Sequence, residues 1–285
     1  LPMNIQDLGF DKWFSDRINS AKLTECEIAR VIAVNKDSFL IRNKENDIFA
    51  EVTGKLMFNA ESPLDYPTVG DWVYAQFFDN DSFAVIHEII PRKSLLKRKT
   101  PGKKIDFQLI AANVDTTFII QSLDSDYNIR RLERYLVMIN ESNILPFVLL
   151  SKSDLTTPED IEKKVSDIYK LMPNIQVEVF SSTNNFGMSR INEMLLYGKT
   201  FCMIGSSGVG KTTLLNNLVN DDLFETRTVR DKDGKGKHTT TRRQLISLEN
   251  GAMIIDTPGM RELGNIAVGK GLDDTFNEIA DLSNQ

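Results

Sequence analysis

The stretch GSSGVGKTT, residues 205–213, governs how the rest of the chain is read. Gly205, Gly210, Lys211 and Thr212 satisfy the pattern G-x-x-x-x-G-K-[ST], and they lie between the apolar run KTFCMIG and the helical run KTTLLNNLVN. A phosphate-binding loop needs that strand–loop–helix setting. Its glycines let the backbone N–H groups of Ser206, Ser207, Gly208, Val209 and Thr213 wrap a β-phosphate at a helix N-terminus. Lys211 then reaches the β- and γ-phosphates, and the Thr212 hydroxyl ligates Mg²⁺. The residues after Thr213 are too few for such an α/β domain, which runs on for well over ~100 residues past its loop. The remainder is expected upstream.

Two further stretches read as phosphate sensors. DTPG, residues 256–259, ends an apolar strand, where Asp256 approaches the magnesium and Gly259 brings its N–H to the γ-phosphate. Between the two motifs runs RDKDGKGKHTTTRR, residues 230–243, without an apolar residue. It reads as a switch loop in which Thr239 or Thr240, preferably Thr240, completes the Mg²⁺ shell when triphosphate is bound. His238 is the candidate within the chain for positioning the attacking water. Met260 follows Gly259, where many such enzymes carry a water-orienting Gln, so slow intrinsic turnover is expected.

The base-reading residues lie upstream. LLSKSD, residues 149–154, ends a buried-type strand and resembles the N-K-x-D motif that specifies guanine, with Ser151 in place of Asn. Asp154 accepts hydrogen bonds from the guanine N1–H and N2 amino group and rejects adenine, whose donor and acceptor are reversed. Lys152 lays its aliphatic stem over the base, and Ser153 completes the loop. Serine is shorter than asparagine and makes fewer bonds, so a looser tie to the phosphate loop and weaker guanine affinity are expected. VFSSTNNFG, residues 179–187, resembles the second guanine loop, with Ser181 and Ser182 at its small-residue positions.

The order is therefore base loop, second base loop, phosphate loop, switch and DTPG. Ordinary GTPases place the last three first. Joining the usual termini and cutting after the DTPG strand yields this order with every element in place. Apolar runs alternating with helical patterns after Ile105 predict a mainly parallel sheet covered by helices.

Upstream, CEIARVIAV, SFLIR, DIFAEVTG, GDWVYAQFF and SFAVIHEII predict five short strands in ~70 residues, a small barrel for which the oligonucleotide/oligosaccharide-binding (OB) type is favoured over an SH3-like barrel of nearly the same signature. The expected layout is an N-terminal extension at 1–22, an OB-fold barrel at 23–91, a basic linker at 92–104, a circularly permuted P-loop GTPase domain at 105–268, and the start of a C-terminal module at 269–285. The stretch PRKSLLKRKTPGKK carries seven Lys or Arg and no acidic residue, which suits a hinge or a strip against nucleic-acid phosphates. Trp13 and Trp72 are expected to pack rather than to stack on bases.

The net charge of −6 excludes a global basic field. Cys26 and Cys202 lie too far apart in sequence to suggest a disulfide scaffold or a metal cluster, and they fit a reducing cytoplasm. No apolar run approaches the ~18 residues that cross a bilayer. From the residues alone, an ATP-using P-loop enzyme and a nucleotide-gated RNA-binding scaffold stay open beside GTP hydrolysis.

Together, GSSGVGKTTLLN, GKGKHTTTRR, IIDTPGMRE, the permuted order and the preceding barrel closely resemble the ribosome small subunit-dependent GTPase A family. The resemblance implies a magnesium-dependent, monomeric cytoplasmic enzyme that hydrolyses GTP to GDP and phosphate late in small-subunit maturation. Its partners would be the small ribosomal subunit and its rRNA, with turnover stimulated by the ribosome and no membrane involved. The family also implies a zinc-binding Cys/His segment after TFNEIADLSNQ, whose ligands are absent from this chain.

Overall fold

Alternating apolar residues build the first half of the molecule. The structure, a computed structural model, describes residues 4–35, 38–44, 46–99, 107–219 and 243–257. After a short helix α1 (Lys12–Ser15) come β1 (Glu27–Val34), β2 (Phe39–Arg42), β3 (Ile48–Val52), helix α2 (Gly54–Asn59), β4 (Trp72–Phe78) and β5 (Phe83–Ile89). Strand β1 pairs antiparallel with β2 and β4, β2 with β3, and β4 with β5, while β3 runs parallel to β5. This closes the five-stranded OB-type barrel expected from the alternation. Val31, Ile41, Val73 and Ile86 fill its interior.

Residues before the barrel are part of its packing. Leu8, Phe10 and Phe14 are buried beside Trp72 and Ile90, with Phe10 edge-on to Trp72 at 4.9 Å between ring centroids. Trp72 is fully buried, so it packs, as expected.

The second half alternates strand and helix: β6 (Leu95–Lys99), β7 (Phe107–Ala112), β8 (Thr116–Ser122), α3 (Ile129–Asn140), β9 (Leu145–Ser151), α4 (Pro158–Leu171) and β10 (Gln176–Val179). It continues through α5 (Met188–Met194), β11 (Thr200–Ile204), α6 (Lys211–Val219), β12 (Arg243–Ser247) and β13 (Met253–Asp256). The main sheet runs β10-β9-β8-β11-β13-β12, parallel except for β12. Strand β12 also pairs with β1 of the barrel, Ala33 opposite Gln244, so the two sheets are continuous.

On β8, Phe118 and Ile120 enter one apolar cluster and Ile119 the other, and all three are fully buried. A sheet covered on both faces needs such uninterrupted apolar strands. Helix α3 buries Leu132, Tyr135, Leu136 and Ile139, the spacing of one helical face, and Asn128 caps it by accepting the Arg131 N–H at 3.0 Å.

Part of the stretch read as a linker is a strand, since β6 pairs antiparallel with β7 as a separate two-stranded sheet. Leu96 is fully buried, and the Lys97 ammonium lies 4.6 Å from the Phe107 ring centroid. Two leucines followed by Lys97, Arg98 and Lys99 resemble a hinge in composition, although the strand buries Leu96 and carries its cations on long stems.

Arg30 of β1 locks barrel and sheet together. Buried at 1% exposure, its guanidinium donates to the Thr200 hydroxyl at 2.8 Å and to the carbonyls of Leu8, Gly70 and Asn113. Burial lowers its pKa to about 10, partly offset by Asp115, Asp71 and Asp11, so it stays charged at neutral pH.

Candidate nucleotide-binding site

Parallel strands β9, β8, β11 and β13 end at one edge of the sheet, so the loops that follow them converge there. Residues 205–210 follow β11 and lead into α6. A Cβ on Gly205 would lie 2.4 Å from the Ile120 carbonyl oxygen, which only glycine avoids. Gly210 has open space around it but a φ of +96°, a conformation that favours glycine. The Lys211 ammonium folds over the loop, donating to the Gly205 carbonyl at 2.7 Å and to that of Ser206.

The base loop meets the phosphate loop directly. Ser151, 2% exposed at the end of β9, donates its hydroxyl to the Val209 carbonyl at 2.6 Å, with the Gln121 carbonyl 3.3 Å away. The tie between the loops, expected to loosen with a side chain shorter than asparagine, is present because β9 brings Ser151 close enough. Lys152 takes a left-handed conformation, φ 60° and ψ 40°, and turns the chain into a 3₁₀ turn over Ser153–Leu155. Asp154 is exposed on that turn, and the Ser153 N–H donates to the Phe180 carbonyl at 3.2 Å. The buried Ser181 hydroxyl donates to the Asp154 carboxylate, while the half-buried Ser182 follows it. The two guanine-type motifs thus form one unit.

Sequence reasoning missed the loop between β8 and α3. Asp124 accepts from the Lys152 ammonium at 2.7 Å, and Asp126 accepts from the Ser206 hydroxyl at 2.6 Å. Burial opposes ionisation of Asp124, but the Lys152 ammonium, the Ser122 hydroxyl and the Asp126 N–H outweigh it and hold the carboxyl down at about 2. The signal was an acidic LDSDYN stretch at the end of a strand adjacent to the phosphate-loop strand.

Thr212 lies in the first turn of α6, and Asp256 ends β13 beside β11, where the Thr257 hydroxyl donates to the Met203 carbonyl at 3.1 Å. A hydroxyl and a carboxylate are hard oxygen donors, which fits Mg²⁺ rather than a soft metal. Among the described residues no group of three His, Cys, Asp or Glu gathers as a metal cluster. Cys202 on β11 is buried, and its thiol is pushed up to about 12 by burial and by the negative charge of Asp256. His238, Thr239, Thr240 and Gly259 lie outside the described residues.

A phosphate loop and a guanine-type base loop in contact, in inverted chain order on a P-loop sheet, define a circularly permuted GTPase. The chain belongs to the RsgA GTPase family, whose model matches residues 89–266. It is 42% identical over 258 residues to the small ribosomal subunit biogenesis GTPase RsgA 2 of Lactiplantibacillus plantarum, covering 90% of this chain and 72% of that protein. To the protein of the same name from Vibrio parahaemolyticus it is 35% identical over 279 residues, covering 98% and 74%. YjeQ from Thermotoga maritima shares the fold with a TM-score of 0.61 at 23% identity, over 82% of this chain and 75% of that one. YloQ, described as a circularly permuted GTPase, does so with a TM-score of 0.58 at 21% identity, over 84% and 73%.

Proposed function

We propose that this GTPase acts in late maturation of the small ribosomal subunit and that its turnover of GTP to GDP and phosphate rises on binding that subunit. The contact of Ser151 with Val209 supports the GTP part of this reading, because it brings a base reader and a phosphate cradle together across the chain permutation, and the likeness to small ribosomal subunit biogenesis GTPases supports the ribosomal part. Asp154, kept in place by Ser181, accepts from the guanine N1–H and N2 amino group, and the stem of Lys152 covers the base. The backbone N–H groups of residues 205–213 cradle the phosphates, and Lys211 exchanges a loop carbonyl for a phosphate oxygen. Thr212, Asp256 and Thr240 would hold Mg²⁺, which neutralises charge on the β- and γ-phosphate oxygens. Water attacks the γ-phosphorus, GDP leaves, and His238 orients that water while Gly259 donates its N–H to the γ-phosphate.

Slow intrinsic turnover follows from Met260 standing where a Gln often orients water. On this reading the small subunit raises turnover through the switch residues of 230–243, while the barrel and basic residues near 92–104 engage rRNA phosphates. The enzyme works as a cytoplasmic monomer on this reading, and among the described residues no helix is long and apolar enough to cross a membrane. The test is phosphate release from GTP and from ATP, with and without purified small subunits. Hydrolysis selective for GTP and accelerated at least ~10-fold by the subunit is expected, about 1.4 kcal/mol or more of barrier lowering. A preference for ATP, or no acceleration, overturns the proposal.

A further inference from the structure

We propose that the loop between β8 and α3 clamps the nucleotide site, with Asp124 positioning Lys152 over the base and Asp126 positioning the phosphate loop through Ser206. This inference rests on the guanine-nucleotide reading above. The loop is prebuilt, because the buried Gln121 amide donates to the Asn128 carbonyl at 3.0 Å and accepts the Asn128 N–H at 3.1 Å, pinning both ends. Within it, Asp124 uses its second oxygen to accept the Ser122 hydroxyl at 2.7 Å and the Asp126 N–H at 2.9 Å. One short loop therefore holds both carboxylates in fixed relation.

Lys152 is restrained at both ends. Its backbone is left-handed and its ammonium is bound to Asp124 at 2.7 Å, which leaves the four-carbon stem as the part offered to a flat purine. Ordering such a side chain before the ligand arrives removes a cost that binding otherwise carries. At the other end, the Ser206 hydroxyl is bound to Asp126, so its proton is engaged outside the phosphate cradle. Two carboxylates beside an anion site would repel phosphate if bare. Here Lys152 neutralises Asp124, and Arg131 neutralises Asp126 at 2.7 Å.

Asp124 and Asp126 are positioning residues, and a double-mutant cycle on affinity for a fluorescent GDP analogue tests them in the full chain. Asp124→Asn and Lys152→Met should each weaken binding by about three- to tenfold, the range expected for losing one pre-ordered side chain. The double variant should bind no more weakly than the worse single one. The same pattern is expected for Asp126→Asn and Ser206→Ala. Effects that multiply in both pairs, or single variants within twofold of the unmodified protein, overturn the clamp. Thermal unfolding shows whether each variant is folded. If an asparagine variant is not, Lys152→Met and Ser206→Ala probe the same contacts from the other side, and unchanged affinity in both overturns it equally. Unmodified protein that binds ADP as tightly as GDP removes the guanine reading and the clamp with it, whereas guanine-selective protein with unaffected variants removes the clamp alone.

Discussion

The Ser151 hydroxyl and the Val209 carbonyl, 58 positions apart in sequence, meet at 2.6 Å and join the base loop to the phosphate loop. Ser151→Ala leaves that carbonyl without its donor in a buried setting, a loss of about 1–3 kcal/mol. Urea denaturation should register the loss, and GDP affinity should fall with it. Unchanged stability and affinity would show that the contact does not hold the loops together.

Asp154 and Ser181 decide the base. Asp154→Asn exchanges an acceptor for a donor, so guanine nucleotides should bind at least ~100-fold more weakly while xanthine nucleotides, which present a carbonyl at C2, gain. Competition among GDP, ADP and xanthosine diphosphate measures this. Ser181→Ala, which frees the carboxylate to turn and removes the acceptor of the Thr183 N–H but leaves the base-reading carboxylate itself in place, should cost less.

Gly205→Ala places a Cβ 2.4 Å from the Ile120 carbonyl, so loop or strand must move. Overpacking of this kind costs about 1–3 kcal/mol, and the displaced loop should lose nucleotide binding out of proportion to its loss of stability. Calorimetry with GDP beside thermal unfolding separates the two effects.

Arg30→Met strips the donor from the Thr200 hydroxyl and from the carbonyls of Leu8, Gly70 and Asn113 at the joint of barrel and sheet. Breaking a buried, charge-assisted network costs about 3–5 kcal/mol. Denaturant unfolding should show that loss, with Arg30→Lys recovering only part because an ammonium does not span all four acceptors.

The Asp124 carboxyl sits at about 2 in the folded chain against 3.8 ordinarily. A lowered folded-state pKa gives stability that is complete above the unfolded value and disappears as the pH falls through the folded one. The unmodified protein should therefore lose more stability than Asp124→Asn between pH 5 and pH 2, as followed by denaturation at each pH. Equal losses would mean that the carboxylate is not held by Lys152.

Much of the fold was legible in local patterns. All five barrel strands follow alternating apolar runs, and the phosphate loop follows its glycines and lysine, because periodicity and φ preference are properties of neighbouring residues. The strand Leu95–Lys99 escaped this logic, since its lysines and arginine resemble a solvated hinge until β7 pairs with it. The N-terminal residues Leu8, Phe10 and Phe14 carried no period that announces a barrel-capping cluster.

The identities of Asp154, Lys152, Lys211 and Thr212 came from motif spacing alone, and with them the chemistry of a guanine nucleotide. Tertiary structure alone determined whether Ser151 reaches Val209, whether Asp124 and Asp126 join the site, and whether Arg30 welds barrel to sheet. Those contacts span about 30 to 170 positions along the chain. No window of sequence contains both partners, and they meet only because parallel strands end at a common edge and because β1 lies against β12.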